Sequence, residues 1–389
     1  MIKTTKLNAI ALAAAIALSA CGGGSDGNKN DAQPEQPPPP PAGPVSKLPK
    51  DSYIMTAVDG DTFSLVIDRQ SQFAHIIPLN TMYGVEDTSR IAVKVIDTDL
   101  GITIYSSVNQ DTSEGKPAFE IYTSPDGNEI VGQVAIAGLN SNVIGTNLEI
   151  VRAFGLPIQG AYNGVSMEAD SPTAPKRLID FGIRNVNDSM TFCEDGFYVN
   201  NTCTGNEYPA QFNETFGGMA RLQVALNGRY RDYAYLLLAQ NGNDYSLILD
   251  RIQNANGRLV YGTGYAVQAT EFKLSNTVKS YACIKQDASG GSYLSLRDDR
   301  TYTQDLYDSK LTPMGGTKGT LALNQAVSRS NVVNAQGLVS FVEGSEGLPV
   351  NPTTKFSRGL NFSTNMLVLA DEKNQQLSVC RSDSLVVKK

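Results

Sequence analysis

The sequence predicts an all-β protein built from two homologous tandem antiparallel domains. Three observations carry this. Short runs of Val, Ile, Leu, Tyr, Phe and Thr recur between Asn/Asp/Gly breaks. No stretch carries the 3.6-residue period of a long amphipathic helix. One segment of the chain matches a later segment without a gap.

The strand runs come in pairs. Tyr53 to Val58 precedes Phe63 to Asp68, and Tyr233 to Ala239 precedes Tyr245 to Asp250. The breaks are Asp59-Gly60, Asp126-Gly127, Asn227-Gly228, Asn241-Gly242 and Asn256-Gly257. Such dipeptides tolerate the positive φ angles of tight hairpin turns. Residues 53–88 align with 235–270 at a constant offset of 182, with identities including Tyr53/Tyr235, Gly60/Gly242, Asp68/Asp250, Arg69/Arg251 and Tyr83/Tyr265. Weaker matches follow, ending with Cys193 opposite Cys380. The 339 residues from 51 onward exceed a typical single domain. The expectation is therefore an internal duplication, with β-sandwich or β-barrel domains at 51–215 and 216–389. The alternative is a β-propeller, which should also repeat every 40 to 50 residues or so; only loose hairpin similarity exists at that scale.

Composition excludes several chemistries. The chain has 389 residues, 32 Lys+Arg against 39 Asp+Glu, a net charge of −7, one His and no Trp. A single His, His75, cannot build a multi-His metal site. The acidic balance opposes nucleic-acid binding, which needs a basic stripe to release counterions. The charge is divided unequally: residues 51–215 are net −14 and residues 216–389 net +5. An acidic whole therefore still permits an anionic partner for the second half.

The N-terminus reads as an address. Lys3 and Lys6 precede an apolar stretch, residues 8–17, too short to span a bilayer. It ends Leu18-Ser19-Ala20-Cys21, which resembles the lipobox of bacterial lipoproteins. The resemblance implies that residues 1–20 are a signal peptide, that Cys21 carries acyl chains, and that these hold the protein to a membrane. Gly22 in place of Asp implies the outer membrane of a Gram-negative cell. Residues 21–50 then form a tether, Gly-rich at first and stiffened by Pro37 to Pro41. It spans roughly 30 Å as a coil and about 90 Å when stretched.

Four Cys remain in a compartment that oxidises thiols. Cys193 and Cys380 fall at matching places in the two halves, so the predicted disulfides are Cys193–Cys203 and Cys283–Cys380. A Cys₄ zinc site lacks the CxxC spacing.

Candidate sites each have a plain structural counterpart. His75 is a surface or strand-end residue unless it serves as a haem ligand or general base. Asp68-Arg69 and Asp250-Arg251 form a repeated strand-end pair, in which Asp accepts turn amides and Arg makes ion pairs. The acidic loops Asp59-Gly60-Asp61, Asp97-Thr98-Asp99 and Glu194-Asp195 are solvated turns unless they hold Ca²⁺. Gly262-Thr263-Gly264 lacks the third Gly of a dinucleotide fingerprint. The most suggestive run is Arg229, Tyr230, Arg231, Tyr233 and Tyr235, a basic-aromatic candidate for ligand binding, with Tyr233 and Tyr235 expected on one face.

The lipoprotein start followed by β-domains resembles Gram-negative surface lipoproteins that capture host proteins. It implies an envelope or cell-surface binding role toward a protein, glycan or small ligand, with no cofactor, no metal and no catalysis. The alternatives are a periplasmic structural or assembly factor and, less favoured, an envelope hydrolase.

Overall fold

The computed structural model describes residues 51–382 apart from residue 100 and segments 109–117, 137–138, 148–157, 188, 215–218, 242–243, 254–256, 275–277, 286–289, 309, 328–331, 345–355, 364 and 373. Cys21, the leader and the tether lie outside the described residues. The rest is antiparallel β, as expected, but it forms three closed eight-stranded barrels.

The first barrel comprises β1 (Ser52–Ala57), β2 (Thr62–Asp68), β3 (Phe73–Asn80), β4 (Thr88–Asp97), β5 (Thr103–Ser107), β6 (Ala118–Thr123), β7 (Glu129–Ile136) and β8 (Leu139–Asn147). Each strand pairs with its sequence neighbour, and β1 pairs with β8 to close the ring. The second comprises β9 (Gly160–Ala169), β10 (Arg177–Val186), β11 (Ser189–Glu194), β14 (Asn206–Glu214), β15 (Ala220–Leu226), β16 (Arg229–Asn241), β17 (Asp244–Arg251) and β18 (Tyr261–Gln268), closed by β18 on β9. A small hairpin, β12 (Tyr198–Val199) and β13 (Thr202–Cys203), is inserted between β11 and β14. The third comprises β19 (Lys279–Lys285), β20 (Gly290–Leu296), β21 (Thr301–Asp308), β22 (Pro313–Leu323), β25 (Leu338–Glu343), β26 (Phe356–Leu360), β27 (Met366–Asp371) and β28 (Gln376–Ser382), closed by β19 on β28. Its insert is β23 (Ala326–Val327) with β24 (Val332–Val333).

The expected boundary at 215/216 therefore falls inside the second barrel, between β14 and β15, which pair with each other. The matching segments 53–88 and 235–270 are similar hairpins at different places: β1 to β3 open the first barrel, whereas β16 to β18 finish the second. The charge split becomes a gradient. Residues 52–147 hold 4 basic and 12 acidic residues, 160–268 hold 8 and 11, and 279–382 hold 11 and 9, giving −8, −3 and +2.

Alternation along each strand builds two kinds of core. In β1, Tyr53, Met55 and Ala57 face the first barrel's interior with Phe63, Leu65 and Ile121. Ile54 and Val58 face outward, into a cluster shared by all three barrels with Met167, Tyr265, Phe362 and Val379. Strands at this junction are buried on both faces, so Ser52–Ala57 is buried at every residue. Burying a large apolar side chain contributes about 1.5–3 kcal/mol, so the junction joins the barrels rather than merely touching them. Gly262 allows the closest backbone approach: with φ +144°, any Cβ there would fall on the carbonyl oxygen of Met167, and Gly60 lies against its other side. Thr263 donates to the Ala57 carbonyl at 2.6 Å. This approach of two barrels, not a phosphate, accounts for the Gly-Thr-Gly run.

Candidate functional site

The basic-aromatic strand does not present one face. Asn227 (φ 51°) and Gly228 (φ 74°) form the tight turn of the β15–β16 hairpin, and Arg229, Tyr230 and Arg231 project at its exposed tip. Arg231 lies over Gly257. Beyond the tip the register shifts, with Gln223 opposite Asp232 but Leu222 opposite Ala234. This bulge inverts the alternation. Tyr233 turns into the barrel, its ring centroid 4.3 Å from that of Phe192. Tyr235 faces outward against the junction, with Arg221 over its ring at 5.7 Å. Only Arg229, Tyr230 and Arg231 remain accessible, Tyr230 at 46% exposure.

The repeated Asp-Arg pairs take matching positions. Each Arg turns toward its barrel interior at a strand end and rests on a Tyr. Arg69 sits over Tyr105 and reaches Asp51 at 2.7 Å, Asp97 at 3.1 Å and the Tyr105 hydroxyl at 2.9 Å. Arg251 sits 3.8 Å over Tyr233 and is paired with buried Glu168. Each Asp turns outward. Asp68 accepts the amides of Gln70 and Ser71 in an exposed turn. Asp250 is buried between barrels, accepting from Thr62 at 2.7 Å and Asn80 at 2.8 Å. The pairs are structural plugs and caps.

His75 lies on the outer side of β3, 2.8 Å from Asp87. Asp97, Asp99 and Asp195 are exposed, as expected of solvated turns, but the first acidic loop is not. Asp61 is fully buried and receives the Met82 and Tyr83 amides and the Thr81 hydroxyl, holding loop 81–85 over the barrel end. Asp59 pairs with Lys176 of the second barrel, and Asp97 with Arg69. Among the described residues no group of three His, Cys, Asp or Glu is placed to hold a metal. The disulfides join Cys193 to Cys203 and Cys283 to Cys380. The pairing matches the expectation, although its argument from equivalence does not hold: Cys193 is on the third strand of its barrel and Cys380 on the eighth of another. Cys193–Cys203 ties the inserted hairpin to β11; Cys283–Cys380 bridges directly opposed residues across the closing seam of the third barrel.

Each inter-barrel contact also holds an acid, buried for Glu129 and Asp250 and part-buried for Asp180. Asp250 lies between the first and second barrels, Glu129 between the first and third beside Ser363, and Asp180 between the second and third, paired with Arg358. Burial pushes Glu129 up to about 8 and Asp250 up to about 7, the latter opposed by the Asn80 and Thr62 bonds. Burial also pushes Asp180 up to about 6, opposed by Arg358.

Sequence reasoning missed the third barrel's mouth. Inward positions there are apolar at one end: Tyr281, Leu294, Leu296, Val339 and Leu367. Phe272 and Leu274 cover that end. At the other end the same inward face turns polar, and Lys285, Gln304, Thr317, Glu343, Asp371 and Gln376 surround a cavity of about 250 Å³. The available signal was a period-two face changing from apolar to polar midway along each strand, as in Leu296-Leu294-Ser292 and Tyr302-Gln304. Beside this mouth, the β21–β22 hairpin carries Leu311 at 77% and Met314 at 66% exposure near its tip. A register shift at Leu306/Tyr307 bends it.

No family model matches the chain, and no curated protein sequence matches it. Among solved structures, it is similar to a protein of unknown function of the DUF3598 family from Nostoc punctiforme PCC 73102, at 11% identity and TM-score 0.17, covering 58% of this chain and 94% of that one. It is also similar to the isotype 1 transferrin binding protein B of serogroup B Neisseria meningitidis, at 10% identity and TM-score 0.21, covering 83% of this chain and 65% of that one. This chain thus spans just under two thirds of the second structure's length. Both likenesses are low and neither bears on function.

Proposed function

We propose that this protein is a lipid-anchored envelope protein, acylated at Cys21, whose three barrels form a scaffold for capturing a protein partner at the outer membrane. The observation that carries this is the pair of exposed hairpin tips. Most large apolar and aromatic side chains along these strands are buried or half-buried, yet Tyr230 with Arg229 and Arg231, and Leu311 with Met314, stand in solvent at turns. Tyr, Arg and Met are enriched where proteins meet, and exposed loops on a rigid frame are where binding residues concentrate. The scaffold is rigid because the junction cluster joins all three barrels.

Capture tests this directly. Immobilised residues 51–389 are exposed to envelope and host-protein fractions, alongside R229A/Y230A and L311S/M314S variants. A retained protein lost with either variant, at unchanged thermal stability, supports the reading; retention undiminished by both removes it. Protease shaving of intact cells then fixes the face of the membrane. Cleavage before the outer membrane is opened places the barrels outside, and resistance until opening makes this a periplasmic module.

A further inference from the structure

We infer that the mouth of the third barrel is a binding site for a small neutral polyhydroxylated ligand, of monosaccharide size, distinct from the hairpin tips. All eight strands of that barrel contribute to the cavity, each through an inward-facing residue at the same end. Lys285 and Ser292 come from the first two strands, Gln304 and Thr317 from the next two, and Glu343, Ser357, Asp371 and Gln376 from the last four. The barrel spends half of its interior on these groups. The corresponding space in the first barrel is filled by Phe63, Leu65, Ile121 and their neighbours. Barrel mouths are a recurrent location for ligand sites, and a few hundred Å³ is the low end of their usual size.

The lining selects the chemistry. It offers one ammonium, two carboxylates, three amides with Asn374, and five hydroxyls with that of Tyr302, so donors and acceptors are mixed around the whole wall. Its net charge of −1 disfavours an anion. A divalent cation lacks a clustered oxygen set among the described residues. A wholly apolar ligand would bury these polar groups without partners, at about 1–3 kcal/mol each. Neutral vicinal hydroxyls satisfy such a wall, because each both donates and accepts. Leu306, Leu369 and Tyr302 offer the apolar surface for a sugar's C–H face, and Tyr302 is held edge-on against Phe341 at 5.1 Å. Part of the wall is already fixed. Gln304 donates to Ser292 at 2.8 Å, and Asp371 receives the Asn374 amide at 3.1 Å. The Cys283–Cys380 bridge lies one inward position below Lys285 and Ser378, pinning the wall where the barrel closes.

Saturation-transfer NMR tests this on the full chain in a detergent without a sugar headgroup. The probes are glucose, galactose, mannose and N-acetylglucosamine, with glutamate, arginine and methyl phosphate as charged comparisons. The expected result is saturable binding of at least one sugar, weakened about tenfold or more (about 1.4 kcal/mol) by Glu343→Gln and by Gln376→Ala, with the melting temperature of both variants unchanged. Ser378→Leu, which fills the cavity from another strand, should abolish it. Absence of sugar binding, preference for a charged probe, or sugar binding indifferent to all three variants would overturn the inference. L311S/M314S should leave sugar binding intact, which keeps this site separate from the protein-capture reading.

Discussion

The first and third barrels have the same strand count and the same closure, yet they use their interiors differently. The first is filled by apolar side chains such as Phe63, Leu65 and Ile67, and Arg69 lies across one end over Tyr105, beside a cavity of about 320 Å³ between that end and the loop 125–128. The third is apolar for half its length and polar for the rest. It alone carries a disulfide across its closing seam. The difference teaches that a closed ladder satisfies the backbone whatever fills it, so an interior can be given over to recognition if other constraints offset the lost burial.

The disulfide is the strongest place to break that comparison. Cys283→Ser with Cys380→Ser removes a link spanning 97 residues, worth roughly 4 to 5 kcal/mol as an upper figure in the chain-entropy model. Proteolysis of the third barrel under mild heating should rise sharply while the first barrel stays resistant; equal sensitivity would mean that the seam needs no covalent help. Packing comes next. Phe63→Ala in the first barrel should cost about 3–5 kcal/mol, whereas Leu306→Ala at the third barrel's mouth should cost under about 1.5 kcal/mol, because water can fill that space. Melting curves of the two variants decide it, and a comparable loss from Leu306→Ala would show the mouth to be closed.

The Arg plugs sharpen the comparison further. The Arg251 side chain is 1% exposed and that of Arg69 is 42%. Glu168→Gln strands a buried guanidinium and should cost about 3–5 kcal/mol, largely restored in E168L/R251M. Arg69→Met should cost less, about 1 kcal/mol, since the Arg69 side chain is 42% exposed and that of its partner Asp97 64%. Denaturant titration distinguishes the two.

Stability should also depend on pH. Glu129 and Asp250 have folded-state values of about 8 and 7, above those of an unfolded chain, so the folded form binds the extra protons. Their contribution is complete below the carboxylate range near pH 4 and is lost as pH rises through about 7 to 8. The groups facing Asp250 are Thr62, Asn80, Asp61 and Tyr265, and those facing Glu129 are Ser363 and Asp126. Melting temperature should fall between about pH 4 and 8, more gently in E129Q/D250N, and an unchanged slope in that variant would assign the effect elsewhere.

Much of this was legible locally. Asn227-Gly228 takes the positive φ angles its dipeptide predicts, and alternation in Tyr53-Met55-Ala57 against Ile54-Val58 marks a strand buried on both sides. The Asp68-Arg69 roles follow from a strand end meeting a turn. The placement of Tyr233 did not follow, because a single bulge reverses every later side chain and leaves no mark in composition. The mouth of the third barrel was also hidden, since its polar residues are adjacent in space but scattered from 285 to 378.

The sequence by itself therefore determined the all-β class and the turns, because each depends on residues close in the chain. Only the tertiary structure decided that there are three barrels, that the 215/216 boundary cuts through one, and which interior is open. Closure depends on β1 meeting β8, β9 meeting β18 and β19 meeting β28. Those pairings run between strands at opposite ends of each barrel segment, where neither local propensity nor period carries information about the partner.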